Sequence, residues 1–146
     1  MKANELTIGD LILAQFMNGD RYARIAAIAI DCAVVNVSDR EYEHEYDSIF
    51  PIPLTAETLK KNGFIKTNND TWDAYVKRVK ECGTFDIYVD LTFNEIDISK
   101  VDGAGTDCEE CDYASEIYLG HALNVHELQH ALRLYGLNEL ADKFKV

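Results

Sequence analysis

Both prolines of this 146-residue chain stand at positions 51 and 53. Proline fixes φ and has no N–H, so Pro51-Ile52-Pro53 cannot run through the middle of a sheet or a helix. The hydrophobic pattern also differs on the two sides of this segment. Two modules are expected, residues 1–52 and 53–146.

Ahead of the prolines, short apolar runs alternate with turn residues. Residues 11–16 read as a strand, Asn18-Gly19-Asp20 as a hairpin turn, residues 22–30 as a second strand and 33–37 as a third. Tyr42-Glu43-His44-Glu45-Tyr46-Asp47 alternates aromatic or His with acid, which fits an edge strand charged on its outer face, and Ile49-Phe50 follows it. Four or five strands in about 45 residues predict a small SH3-like β-barrel.

Beyond the prolines, Thr55 is placed to cap a short helix over 56–62, with Leu59 inward and Gly63 ending it in the left-handed conformation. Residues 72–79 predict a strand. Phe85-Asp86-Ile87-Tyr88-Val89-Asp90-Leu91-Thr92-Phe93 alternates apolar and polar, and Ile96 and Ile98 continue after a turn at Asn94-Glu95. That pattern predicts an antiparallel β-meander with one dry and one wet face. Residues 101–115 read as an exposed acidic loop, 117–119 as a brief strand and 124–135 as a helix stopped by Gly136. Asn138 is expected to cap a last short helix through 141–144. The fold class expected is therefore α+β: an SH3-like β-barrel followed by a helix, an antiparallel β-meander and a C-terminal helix.

The chain carries 26 Asp plus Glu against 14 Lys plus Arg, a net charge of −12. Nucleic-acid binders release counterions with basic patches, so no nucleic acid and no membrane surface are expected as partners. The opening residues lack the pattern of a signal peptide, and no apolar run approaches the roughly 20 residues that span a bilayer. A cytoplasmic location is the expectation, in which the cysteines are reduced thiols: Cys32 a small buried residue, Cys82 a loop residue.

Six residues carry whatever chemistry the spacing suggests: Cys108, Cys111, His121, His126, Glu127 and His130. His126-Glu127-Leu128-Gln129-His130 spells H-E-x-x-H, in which two histidines on one helical face hold zinc and the glutamate takes a proton from metal-bound water. Cys108-x2-Cys111-x14-His126-x3-His130 has the spacing of a structural zinc site, with His121 as an alternative ligand. Against both, no third ligand follows His130 at a known spacing. The helical wheel gathers Val125, Leu128, Ala131, Leu132 and Tyr135 on one side and leaves His126 and His130, with Gln129 and Arg133, on what reads as a solvated face. Glu127 has a plainer role as the third residue of a capping box opened by Asn124. Tyr42, His44 and Tyr46 read as one face of a strand. Asp86 and Asp90 read as solubilising charges on the wet side of another.

The segment from Pro51 to Phe64, Pro-Ile-Pro-Leu-Thr-Ala-Glu-Thr-Leu-Lys-Lys-Asn-Gly-Phe, resembles a hallmark of a family of small uncharacterised proteins frequent in Bacteroidetes genomes and their prophages. The opening Asn4-Glu5-Leu6-Thr7-Ile8-Gly9-Asp10 resembles that family's "L-R-I-G-N" start, and Val125-His126-Glu127-Leu128-Gln129 its closing "V-H-x-L-Q" helix. The family pattern has Asn four residues after the histidine, where this chain has His130, and no counterpart of Cys108 and Cys111. The resemblance implies a prophage or mobile-element context and no mechanism. The expectation is a non-enzymatic accessory or protein-interaction protein without metal or cofactor, whose partner is another protein. The alternatives are a zinc-dependent hydrolase with His126 and His130 as ligands and Glu127 as base, and an acidic decoy for a basic nucleic-acid-binding protein.

Overall fold

The computed structural model describes residues 1–68, 71–80, 84–101 and 113–146. These form an α+β protein with two five-stranded antiparallel sheets and three short α-helices among the described residues. The chain divides into two compact units, residues 1–53 with 123–144 and residues 54–122, Val146 falling with the first and Lys145 with the second. The C-terminal helix, expected in the second module, thus belongs to the first. Backbone pairing brings it there: the Val125 N–H donates to the Ile52 carbonyl at 2.9 Å, and Asn124 forms an antiparallel bridge with Pro53.

In the first unit, β1 (Leu11–Phe16), β2 (Gly19–Ile28), β3 (Cys32–Val37), β4 (Arg40–Glu45) and β5 (Ile49–Phe50) pair in the order β4-β3-β2-β1-β5. The Asn18-Gly19 signal marks a real turn: Phe16 pairs with Gly19, which takes φ +109°. A 3-10 turn over Tyr46–Ser48 then carries the chain from β4 to β5. There β5 pairs back onto β1 at Ala14↔Ile49. Inward positions alternate along the strands, so Ile12, Ala14, Ala23, Ile25, Ala33, Val35 and Ile49 form one core.

The sheet is curled. A bulge falls between Ile25 and Ala27 of β2, and the Phe16 ring on β1 meets the rings of Tyr42 and His44 on β4 at 5.2 and 4.5 Å. Bulges sharpen twist and let a sheet fold over on itself. The barrel expected from the sequence is nevertheless not closed, because β4 and β5 are the two ends of the sheet and do not pair. Two residues of β5 supply too short a ladder to complete a cylinder. The acid-bearing strand β4 is an edge strand, with Glu41, Glu43 and Glu45 exposed.

Helices α2 (Val125–Leu134) and α3 (Asn138–Asp142) complete this unit. Gly136 at φ +74° ends α2 and lets the Leu137 N–H reach back to the Leu132 carbonyl at 3.0 Å. Helix α3 begins earlier than expected. Leu137, not Asn138, stands at its N-cap.

In the second unit, Thr55 Oγ1 accepts the Thr58 N–H at 3.2 Å and opens α1 (Ala56–Lys61). Gly63 at φ +77° ends it. Strands β6 (Ile65–Lys66), β7 (Ala74–Lys80), β8 (Thr84–Asp90), β9 (Glu95–Val101) and β10 (Tyr113–His121) follow in the order β10-β9-β8-β7-β6, a simple antiparallel meander. Tyr75, Ile87, Val89, Ile96 and Ile98 are each 2% exposed or less. At about 1.5–3 kcal/mol per buried large side chain, this face is the unit's main source of stability. The strand expected over 117–119 is longer, and the loop carrying Cys108 and Cys111, like Cys82, lies outside the described residues.

Candidate functional site

Helix α2 opens as the sequence predicts. Glu127 turns back on the helix start, its Oε2 accepting the Leu123 and Asn124 backbone N–H groups at 2.8 and 2.9 Å and the Asn124 side-chain amide at 3.3 Å. An anion there satisfies orphan amides and complements the helix dipole. The residue that a zinc peptidase would use as base is committed to the cap.

The histidine face is different from the expectation. His126 is 5% exposed and Gln129 is fully buried, so the buried arc of α2 runs from Ala131 through Val125 to His126 and spans about 220° on the wheel. The apolar side alone did not reveal this, because the added positions are polar; of the two, Gln129 is buried with its amide hydrogen-bonded. Gln129 Oε1 accepts the Leu11 N–H at 2.8 Å, and its Nε2 donates to the Ala141 carbonyl at 2.8 Å. One amide side chain therefore closes the backbone of β1 and of α3.

Beside it sits Asp10, fully buried at the entry to β1. Its Oδ2 accepts the Thr7 N–H at 2.7 Å and lies 2.7 Å from His130 Nε2, while its Oδ1 accepts from Arg133 Nη1 at 2.7 Å. Thr7 and Arg133 are donors only, so Asp10 is held as an acceptor and the proton of the neutral His130 ring belongs on Nε2. Arg133 continues the network to Asp142 at 3.2 Å. On the other flank Arg24 donates to the carbonyls of Gly9 and Phe144 at 2.8 and 2.9 Å. Gly9 has φ +92°, and a Cβ there would lie 2.9 Å from the Arg133 guanidinium, so this position admits little but glycine.

Asp10, Arg24 and Gln129 are the residues that reading the sequence for chemistry overlooks. The only local hint is an Ile-Gly-Asp step directly before an apolar strand.

The two histidines do come together. Their rings are perpendicular with centroids 5.7 Å apart, and both line a cavity of about 380 Å³ with Glu5, Asn124 and Glu127. His126 Nδ1 is buried and has no hydrogen-bond partner among the described residues. Burial holds the His126 pKa below its ordinary 6.5, outweighing the pull of Glu127 and Asp10 in the other direction. The unfolded chain therefore binds a proton at this residue more readily than the folded one, and the stability associated with neutral His126 is lost as pH falls through 6.5. Melting temperatures of the metal-free protein, followed from about pH 7.5 to about pH 5, are expected to fall more steeply than those of a His126→Gln variant.

The other candidates separate. His121 is exposed at the end of β10, with its Nε2 3.2 Å from the Tyr118 hydroxyl. Cys32 is a half-buried free thiol on β3. Tyr42 and His44 pack on Phe16, and the Tyr46 hydroxyl donates to the Ala29 carbonyl at 2.6 Å. Asp86 shares a face of β8 with Tyr88 and Asp90, opposite Ile87 and Val89, but it is not a solvated charge: it is 2% exposed and gripped by Arg78 through two bonds of 2.7 Å. Asp90 accepts the Thr92 N–H at 2.7 Å and shapes the turn after β8. Among the described residues no three His, Cys, Asp or Glu side chains form a ready-made metal cage, and no helix is long and apolar enough to cross a membrane. Comparison with protein-family models, with curated proteins and with solved structures finds no match to this chain.

Proposed function

We propose that the protein is a non-enzymatic accessory or protein-interaction protein of prophage or mobile-element context. The observation that carries the non-enzymatic part is the fate of Glu127: its Oε2 accepts three N–H groups at the start of α2. A general base must be free to take a proton from its water or substrate. The genomic context rests on the motif resemblance at residues 4–10, 51–64 and 125–129. In this reading the first unit is an open relative of the SH3-like barrel, supported by the strand order β4-β3-β2-β1-β5, the 3-10 turn before β5 and the curl that brings Phe16 to Tyr42.

The test is a pair of substitutions at one residue. Glu127→Ala is expected to lower stability by about 1 kcal/mol in urea unfolding, the usual worth of a helix cap. Zinc-loaded protein is expected to hydrolyse neither a generic peptide nor an ester. Hydrolysis abolished by Glu127→Gln, with the melting temperature unchanged, would overturn the proposal.

One surface favours a second reading, the acidic decoy. Glu41, Glu43 and Glu45 are exposed along the β4 edge, and Asp31, Glu43, Glu45 and Asp47 line a neighbouring cleft of about 660 Å³. A basic protein captured there is held by screened charge, so its retention on immobilised protein is expected to fall steeply between low and physiological salt. Retention indifferent to salt, or to Glu43→Gln with Glu45→Gln, would count against the decoy.

A further inference from the structure

We propose that the free edge of β4 takes up an extended basic segment of another protein as an added strand of the first sheet, antiparallel to β4 and carrying Lys or Arg at every second position. This mode of binding rests on the acidic-decoy reading and adds how the partner is held.

The hairpin between β3 and β4 fixes which way the β4 backbone points. Ser38 and Asp39 are its two turn residues, at φ 51° and 64°, and Val37 pairs with Arg40. A two-residue turn with both residues at positive φ closes on a hydrogen-bonded pair, and such pairs alternate along an antiparallel ladder. Arg40, Tyr42 and His44 therefore turn their N–H and C=O groups to β3, while Glu41, Glu43 and Glu45 turn theirs to the open side. The outward direction shows at Glu45, whose carbonyl accepts the Ser48 hydroxyl at 2.8 Å. Among the described residues the backbone groups of Glu41 and Glu43 have no partner, β4 being the end of its sheet. Unpaired edge groups of this kind are the template for strand addition.

The side chains select the occupant. Tyr42 and His44 pack on Phe16, so Glu41, Glu43 and Glu45 share the opposite, exposed face. None of the three is ion-paired to a Lys or Arg among the described residues. In an added antiparallel strand, the residues bonded to Glu41 and Glu43 stand directly opposite them, with Cβ atoms about 4.5–5.5 Å apart. Lys or Arg at those places pairs with each carboxylate, so the backbone and the charges impose the same two-residue period. A second copy of β4 is disfavoured, because it would set Glu against Glu. The cleft of about 660 Å³ that Glu43 and Glu45 line also contains Ile30, 92% exposed. The aliphatic stem of a lysine covers such a side chain while its ammonium reaches the acids. Charge on an edge also guards against self-association, so the test must show that the backbone is used.

The probes are two peptides of nine residues and identical composition, added to the full-length protein. One alternates lysine with threonine, beginning and ending on lysine; its isomer has the five lysines contiguous. Fluorescence anisotropy at low salt is expected to give a Kd on the order of 10–100 μM for the alternating peptide and binding at least about tenfold weaker for the isomer. N-methylation of the three central lysine nitrogens, which face β4, is expected to cost at least about tenfold, and N-methylation of the two central threonines less than about threefold. In the free protein the Glu41 and Glu43 amides should exchange with solvent faster than those of Tyr42 and His44, and they should slow when the alternating peptide is added. Equal, salt-sensitive binding of the two isomers would overturn strand addition and leave the decoy reading standing, whereas binding of neither would overturn both. Indifference to lysine methylation, or exchange at Glu41 and Glu43 unaltered by the peptide, would overturn strand addition alone.

Discussion

Replacing Asp10 with alanine is expected to lower the unfolding free energy by about 2–4 kcal/mol in urea or thermal denaturation, one of the two largest losses a single substitution should produce here. Asp10 is fully buried and accepts from Thr7, His130 and Arg133 at 2.7 Å each. Its removal leaves the Thr7 backbone amide without its acceptor and the Arg133 guanidinium with only Asp142 at 3.2 Å. The loss should stop short of the value for a completely dry pair, because the side chains of Arg133 and His130 retain 15% and 32% of their exposure. A double-mutant cycle with Arg133→Met isolates the pairwise part, expected at about 1–3 kcal/mol. Additivity of the two losses would show that the ion pair does not couple the helix to β1.

The second large effect is expected at Gln129. Gln129→Leu keeps roughly the volume and the helix propensity, yet it leaves the Leu11 N–H without the acceptor it has at 2.8 Å and the Ala141 carbonyl with only the Phe144 N–H at 3.4 Å. A buried unsatisfied backbone group costs about 1–3 kcal/mol and the shorter bond to Ala141 is lost as well, so a loss of about 2–4 kcal/mol is expected. Amide hydrogen exchange gives a residue-specific check. The Leu11 amide should exchange much faster in the variant, while amides in the middle of β3 shift only by the global change in stability. An unchanged Leu11 rate would mean that water or another group takes over the glutamine's role.

The elements of this fold were legible where a single pattern carries them. The alternation from Phe85 to Val89 predicted β8 because one face of that strand is dry, and Asn18-Gly19, Gly63 and Gly136 marked three chain reversals that need a left-handed residue. The cap at Glu127 was legible for the same reason: it depends on a spacing of three. Most of what the sequence concealed depends on contacts more than a hundred residues apart. Nothing in Ile-Gly-Asp shows that Asp10 meets His130 and Arg133. A wheel that counts apolar residues assigns His126 and Gln129 to water, although a hydrogen-bonded polar group such as the Gln129 amide can be buried as fully as leucine. Asp86 misled in the same way, since its partner Arg78 is on the adjacent strand.

The interrupted layout of the first unit also bears on how the protein is made. Residues 54–122 are synthesised between its two parts. At a translation rate of about 5–20 residues per second, the N-terminal strands wait roughly 4–14 s before α2 begins to emerge. Until then the Leu11 amide and the Asp10 carboxylate have no internal partners from the helix, and the nascent sheet must persist half-finished or stay unfolded while the intervening segment has time to fold.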